Sequence, residues 1–222
     1  MTSYWMSVDV LSDATFGGGT GVAGLIDVEI DHDADGCPFL GGRALKGLLL
    51  EEYVNIRYAL GDIDAWDAAA TALFGRAGAM NGTEQSVLHV GAAQLPAGFR
   101  AAIRDNTIRV DEVLNTLTTI RRQTSITAEG GPEQGSLRAM RALLRDTPLL
   151  AHLDTTRPLT DREQALLATC TLGVRRAGVA RNRGRGRLAL RLHIDEPMTT
   201  AEFHDCTTTE RLFTLFASEV QQ

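Results

Sequence analysis

A basic, glycine-rich loop runs directly into a strand in the stretch that decides the fold, Gly178–His193, which reads GVARNRGRGRLALRLH. The last six residues alternate leucine with other residue types, and a period of two is typical of a half-buried strand. Four arginines and three glycines fill the ten residues before that strand. Glycine lets the backbone approach a ligand closely, and arginine matches the geometry of phosphate. The stretch therefore predicts an anion-binding loop attached to a sheet.

Charge is separated along the chain, although the net charge is only −6. No acidic residue occurs between Gln164 and Ile194, whereas Asp27–Asp35 holds five acids and no lysine or arginine. The net charge gives no indication of nucleic-acid binding, but a local basic surface can bind a polyanion whatever the total charge is.

The composition is that of an ordinary globular protein, with 222 residues and 44% hydrophobic residues. No apolar run approaches the roughly 20 residues that cross a bilayer, and the N-terminus has no signal-peptide pattern. Cys37, Cys170 and Cys206 are widely spaced, which favours free thiols in a reducing compartment. We therefore expect a cytoplasmic protein with no membrane partner.

The stretch Gly19–Gly24, GTGVAG, has the glycine spacing of a dinucleotide-binding turn. In such a turn the glycines open a helix, whose N-terminus holds the pyrophosphate. Here the following residues, LIDVEIDHD, alternate and carry β-branched and acidic side chains. They predict an extended segment that would repel phosphate, so the pattern does not support a nicotinamide or flavin enzyme.

Helices alternate with strands at both ends of the chain. Strand signals occur near Met6–Val10 and Leu188–His193, and helical spacing occurs in Leu45–Ile56, Asp64–Phe74 and Thr207–Val220. Thr160–Glu163 matches a capping box that opens a further helix. Two segments fit a strand or a helix equally well, namely Val110–Ile120 and Leu137–Leu150. This order predicts an α+β fold with a sheet on one face, such as a ferredoxin-like fold with insertions, and no linker divides residues 1–222.

Three separated motifs together resemble the RAMP superfamily of CRISPR-associated proteins. The first is GGTGVAGLID at Gly18–Asp27, with DGCPFLGGRALKG at Asp35–Gly47. The second is IRRQTSIT at Ile120–Thr127, with GSLR at Gly135–Arg138, and the third is the basic loop at Gly178–Arg187. Within the superfamily, the chain looks like the repeated backbone subunit (Csm/Cmr-type) of type III effector complexes.

The resemblance implies one domain with a ferredoxin-like, or RRM-like, palm and an inserted thumb. The palm would comprise residues 1–60, 86–120 and 155–195, the thumb-like insertion residues 121–150, and the C-terminal tail residues 200–222. It also implies the partners, which are a guide RNA (crRNA), a target RNA, other effector subunits and further copies of the chain in a filament. The wedge that the thumb would insert into the guide–target duplex is best supplied by Ile126, with Pro132 as a second candidate.

The same motifs supply the expected RNA contacts. Backbone amides and basic side chains at the start of a helix form an anion site, and arginines bind phosphates. The expected RNA-binding residues are Gly18, Gly19, Arg43, Lys46, Arg121, Arg122, Gln123, Arg181, Asn182, Arg183, Arg185 and Arg187.

The resemblance also implies that Asp27 cleaves target RNA with a divalent metal ion, Mg²⁺ being the expected cofactor. A carboxylate that holds a hydrated metal neutralises charge and assists proton transfer. The chain departs from the family pattern at Arg43 and Ala44, where serines are common, and at Val28–Ile30, where a proline is common. Two alternatives remain open: a scaffold with the same fold that does not cleave, and a guide-processing endonuclease, for which His32 is the early histidine.

Overall fold

The computed structural model describes residues 3–17, 19, 21, 26–61, 64–76, 85–128 and 130–220. A four-stranded sheet packs against helices, and a two-stranded hairpin is a separate sheet. The elements are β1 (Ser3–Val10), α1 (Gly42–Leu60), α2 (Asp64–Phe74), β2 (Leu88–Val90), α3 (Ala97–Asp105), α4 (Val110–Leu117), β3 (Thr118–Gln123), β4 (Arg138–Leu143), β5 (Pro148–Thr155), α5 (Asp161–Gly173), β6 (Leu188–His193), α6 (Thr200–Phe203) and α7 (Thr207–Val220).

The main sheet has the order β2–β5–β1–β6, and every neighbouring pair is antiparallel. Between β1 and β2 the chain passes through α1, and between β5 and β6 it passes through α5. The sheet strands and these two helices therefore follow one another as strand, helix, strand, strand, helix, strand. The predicted α+β class is confirmed.

The core lies between the sheet and the helices because the strands alternate as their sequences predict. On β1, Met6, Val8 and Val10 are fully buried, and on β6 the three leucines are also buried. Helices α1 and α5 pack over this face. Each large apolar side chain that is removed from water in this way contributes about 1.5–3 kcal/mol.

Helix α5 begins at the capping box that the sequence predicts. The Thr160 hydroxyl accepts from the Glu163 amide, and the Glu163 carboxylate accepts from the Thr160 amide at 2.8 Å. Arg157 also donates to Glu163, and this hydrogen bond is the main reason that the pKa of Glu163 lies below its usual value. Helices α2 and α7 have the predicted bounds.

The two ambiguous segments each contain more than one element. In Val110–Ile120 the helix α4 ends at Leu117, and β3 begins at the next residue. Leu137–Leu150 contains β4 and the start of β5, which belongs to the main sheet from Pro148 onward. The last residues of the segment assigned to a thumb-like insertion therefore lie in the sheet. No helix in the described part of the chain is long and apolar enough to cross a membrane.

The second face of the sheet carries a buried histidine that makes stability depend on pH. Ser7 Oγ donates to the Phe203 carbonyl and lies 2.9 Å from His193 Nε2, so it accepts a hydrogen bond from that nitrogen. Burial lowers the pKa of His193 below the ordinary 6.5; Asp205 opposes this shift and Arg191 adds to it. Protonation therefore favours the unfolded chain.

The stabilisation from neutral His193 should be complete above about pH 6.5 and should decline as the pH falls toward the lower pKa of the folded state. Urea unfolding at about pH 7.5 and about pH 5.5 tests this. The free energy of unfolding should change with pH by at most about 1.4 kcal/mol per pH unit because of this group. The control is His193→Gln, whose side chain does not titrate. A stability difference between the two proteins that is equal at both pH values would contradict the prediction.

Candidate nucleic-acid interface

The β3–β4 hairpin is the centre of the candidate site. Its strands pair antiparallel from Thr118 opposite Leu143 to Gln123 opposite Arg138. Beyond that last pair, most residues of the connecting loop that the structure describes are exposed. Three other segments of the chain gather at this hairpin. Two of them bond to its strands, and the third, the basic loop, lies on the first of these and contacts Met140 of the hairpin through Arg185. The second and third contain motifs that the sequence singles out.

The first docking segment follows β1. Ala14 and Leu143 exchange backbone hydrogen bonds of 3.0 and 2.7 Å, and Thr15 Oγ1 donates to the Arg141 carbonyl at 2.9 Å. Asp13 accepts from the backbone amide of Arg145 and, at 2.9 Å, from Arg121 Nε. The predicted RNA-binding residue Arg121 is therefore ion-paired, although half of its side chain is exposed.

The second docking segment contains Asp27. Its amide donates to the Ala139 carbonyl at 2.8 Å, and its Oδ2 accepts from the Ala139 amide at 2.7 Å. Its Oδ1 lies 3.6 Å from Arg138 Nη1, and 40% of its side chain is exposed. One carboxylate oxygen is thus fixed by the hairpin backbone, while the other faces an arginine and solvent.

The other acids of Asp27–Asp35 do not gather around Asp27. Glu29 pairs with Arg141 at 2.7 Å, with both side chains mostly buried. Asp33 accepts from the backbone amides of Asp35 and Cys37 and so closes a turn. Among the described residues no three His, Cys, Asp or Glu side chains come together as a metal site. A single exposed carboxylate suits Mg²⁺ held partly by substrate phosphates, but not a metal held by protein groups alone.

The third docking segment is the basic loop between α5 and β6. The Val179 amide donates to the Thr15 carbonyl at 2.9 Å, and the Gly186 amide donates to the Asp13 carbonyl at 3.0 Å. At Gly178, with a φ of +86°, a Cβ atom would lie 2.4 Å from the Thr15 carbonyl oxygen. A glycine is therefore required there, because the loop lies directly on the segment after β1.

Two grooves result from this docking. One, of about 590 Å³, runs along the open end of the hairpin and is lined by Gln123, Ser136, Arg138 and Arg183, among others. The other, of about 570 Å³, is lined by Asp13, Arg121, Arg145 and Arg185. We call them the hairpin groove and the Asp13 groove.

The structure thus brings together five of the predicted RNA-binding residues around the hairpin: Arg121, Arg122, Gln123, Arg183 and Arg185. Arg122 and Arg183 are exposed, and neither pairs with a carboxylate among the described residues. These two guanidinium groups are available to a ligand.

Other predicted residues lie elsewhere or are already engaged. Arg181 donates to both carboxylate oxygens of Glu51 on α1, at 2.9 and 2.8 Å. Lys46 donates to Ser86 and to the Leu88 carbonyl, and burial lowers the pKa of its ammonium group. Its charge is therefore directed into the fold, and its RNA contact remains an expectation that this geometry does not favour.

Five predicted residues remain. Arg43 is exposed in the first turn of α1, and Asn182 is exposed in the basic loop. Gly19 has a φ of +85° with open space around it, whereas Gly18 lies outside the described residues. Arg187 faces a separate cavity that is described below.

Sequence reasoning did not select Arg138 or Asp13. Arg138 reaches the hairpin groove and Asp27 only because of the strand register, and Asp13 matters through its contacts with Arg121 and Arg145. The motif at Gly135–Arg138 was a signal for Arg138. The residues around Asp13, between β1 and α1, carry no pattern that selects Asp13.

No family model and no curated protein matches the sequence. The structure is similar to a chain of the cryo-EM structure of the Type III-B Cmr-beta bound to cognate target RNA, with a TM-score of 0.62 and 13% identity over 86% of this chain and 97% of that chain. The chain shares the fold of a Cmr-beta component. A second match, to the apo state of Type III-B Cmr-beta, has a TM-score of 0.59 and 14% identity over the same shares. The Cmr-beta fold confirms, at the level of structure, the resemblance to type III effector subunits.

Proposed function

We propose that this chain is an RNA-binding subunit of a type III CRISPR effector complex, and that its hairpin groove holds the guide RNA backbone. The observation that carries the proposal is that the Asp27 segment bonds to the hairpin and the basic loop lines the hairpin groove, in a chain with the Cmr-beta fold. We further infer that the sheet and its two crossover helices form the ferredoxin-like palm, because their order and antiparallel pairing match that topology.

The groove has the chemistry that an RNA strand requires. The exposed guanidinium group of Arg183 lines the groove and can donate to phosphate oxygens, and Gln123 and Ser136 add neutral hydrogen-bonding groups. Arg122, next to Gln123 on β3, adds a second exposed guanidinium group beside the groove. Ile126 and Leu137, which are 72% and 61% exposed, lie in the same loop. Exposed apolar side chains beside phosphate-binding groups can contact unstacked bases, which supports a wedge role for Ile126.

The partners follow from the same proposal. A target RNA would pair with the guide along the groove, while further copies of this chain and other effector subunits would extend the assembly in the cytoplasm. The Type III-B Cmr-beta neighbour is described as bound to cognate target RNA, which supports an RNA partner for this chain.

Asp27 would cleave the target RNA in this assembly. A divalent cation such as Mg²⁺, when bound, would neutralise phosphate charge and acidify a coordinated water. The exposed Oδ1 of Asp27 would hold that cation together with the phosphate, and Arg138 beside it would offset charge that develops on the phosphate. The fixed Oδ2 would keep the carboxylate in place during the reaction.

A specific observation supports the alternative scaffold role without cleavage. The Asp27 carboxylate accepts the Ala139 amide and so joins its segment to β4. A carboxylate with that contact has a structural use even where no reaction occurs. The two roles differ in one measurable property, the metal-dependent cleavage of target RNA.

Binding of single-stranded RNA tests the groove directly. The double variant Arg122→Ala/Arg183→Ala should bind RNA roughly ten- to a hundredfold more weakly, because it loses two charge-assisted contacts. The dependence of log K on log salt concentration should become less steep by about 1.4 for two lost phosphate contacts. Filter binding or fluorescence anisotropy at several salt concentrations measures both quantities.

The matched control removes the same charge elsewhere. Arg104 and Arg109 are exposed arginines that pair with nearby acids outside the hairpin. The double variant Arg104→Ala/Arg109→Ala should retain most of the affinity. An equal loss in both double variants would show only a net-charge effect and would contradict the assignment of the groove.

A further inference from the structure

A four-arginine pocket lies next to the Asp13 groove and shares Leu11 with it. Its volume is about 510 Å³, and the side chains that line it include Arg175, Arg176, Arg187 and Arg191. No carboxylate is among the described residues that line it. Arg191 is ion-paired with Asp9, but the other three positive charges around the cavity repel one another, and a bound anion would relieve this repulsion.

Two of these arginines face each other directly. Arg176 and Arg187 form an antiparallel bridge across the basic loop, flanked by hydrogen bonds of 2.9 Å from Ala177 to Gly186 and from Leu188 to Arg175. Because the two arginines exchange no backbone hydrogen bond, they form the type of pair in which the side chains lie closer together. Like charges at such a position destabilise the pairing. The fold therefore places two arginine side chains opposite each other at a cost in stability, and Arg176 Nη1 donates to the Arg181 carbonyl at 3.4 Å.

The fourth arginine has a fixed position at the base of the pocket. Arg191 Nη1 donates to Asp9 Oδ2 at 2.5 Å, and both side chains are 17% exposed. Arg191 Nε lies 3.2 Å from Cys206 Sγ, which also lines the pocket. A guanidinium group that is already oriented loses little conformational freedom when it binds a further group.

We propose that the four-arginine pocket binds a phosphate group, carried either by an RNA backbone or by a nucleotide. A guanidinium group can bind two phosphate oxygens through parallel hydrogen bonds, and Arg176 and Arg187, opposite each other in the pocket lining, suit such a ligand. The pocket adjoins the Asp13 groove at Leu11, so a strand that leaves that groove can continue into it. Only Arg187 is shared with the RNA contacts that the sequence predicts, so the pocket is a site beyond the hairpin groove.

Cys206 provides a reporter inside the pocket. It is partly exposed, whereas Cys37 and Cys170 are buried, and burial raises the pKa of the Cys37 thiol to about 11 and that of Cys170 further. Because thiolates react much faster than thiols, N-ethylmaleimide should modify Cys206 first. The two buried cysteines serve as internal controls for unfolding.

The test is the rate of Cys206 modification in the full chain, measured by peptide mass spectrometry, with inorganic pyrophosphate or a short single-stranded RNA added. At a probe concentration of about ten times its Kd, the rate should fall roughly tenfold, because only the empty pocket reacts. Protection by RNA but not by pyrophosphate would show that the pocket binds an RNA strand. Protection by pyrophosphate would show that it binds a smaller phosphate ligand. An unchanged rate with both probes would overturn the proposal.

Two variants show whether the protecting probe binds in the pocket. The protection should disappear in Arg175→Ala/Arg176→Ala and persist in Arg109→Ala, which removes an exposed arginine outside the pocket and both grooves. Protection that survives in Arg175→Ala/Arg176→Ala would also overturn the proposal, because the probe would then act elsewhere. Pyrophosphate protection should persist in Arg122→Ala/Arg183→Ala, so failure of the pocket and failure of the hairpin groove are measured separately.

Discussion

Replacement of Asp27 by asparagine should lower metal-dependent cleavage of target RNA by roughly 10²–10⁴-fold. The exposed carboxylate oxygen is the group that would hold the cation and assist proton transfer, and an amide does neither. The measurement is cleavage of labelled target RNA by the effector complex, assembled with guide RNA and Mg²⁺ and containing the variant chain. RNA affinity should be unchanged or slightly higher, because a negative charge beside the phosphates is removed.

Asparagine is chosen because its carbonyl oxygen can still accept the Ala139 amide, as Asp27 Oδ2 does. The loss of activity should therefore occur without a change in the free energy of unfolding of more than about 1 kcal/mol. The control is Asp111→Asn, since Asp111 is an exposed acid on α4 that pairs with Arg109. Unchanged cleavage in the Asp27 variant would leave the scaffold role as the function of this segment.

Much of the fold is predictable from the sequence where one periodic signal dominates. The alternation at Leu188–His193 gives β6, and the capping box at Thr160 gives the start of α5. The hairpin was harder to predict because Val110–Ile120 changes from helix to strand at Leu117 and Thr118 without a glycine or proline between them. Tertiary pairing with β4 decides the conformation there, and local propensity does not reveal such pairing.

The candidate site was predictable as a set of residue types but not as a set of available charges. The sequence treats Arg181 and Arg183 alike, yet Arg181 pairs with Glu51 while Arg183 lines the hairpin groove. Lys46 is the lysine of the first motif, but its ammonium group donates to the Leu88 carbonyl inside the fold. Such pairings join residues 42 to 130 positions apart, and one sequence gives no signal for them.

Replacement of Gly186 by alanine should disrupt the basic loop. Gly186 has a φ of +64°, and a Cβ atom there would lie 1.9 Å from the carbonyl oxygen of Ala177. The backbone would have to move, and with it the hydrogen bonds from Gly186 to Asp13 and from Ala177 to Gly186. We expect the free energy of unfolding to fall by roughly 2–4 kcal/mol, the sum of left-handed backbone strain and an unavoidable contact.

The variant Gly184→Ala separates the effect of the left-handed backbone conformation from the effect of the close contact with Ala177. The φ of Gly184, +83°, is equally unfavourable for alanine, but a Cβ atom there would meet nothing within 4 Å. Gly184→Ala should therefore cost only about 1–2 kcal/mol and should change RNA affinity by less than about threefold. Gly186→Ala should weaken RNA binding at least about tenfold, because Arg183, Arg185 and Arg187 all lie within three residues of the displaced backbone. Urea unfolding and RNA binding, measured on both variants, test this difference. Equal losses in the two variants would mean that the close approach of the loop to Ala177 does not hold the arginines in place.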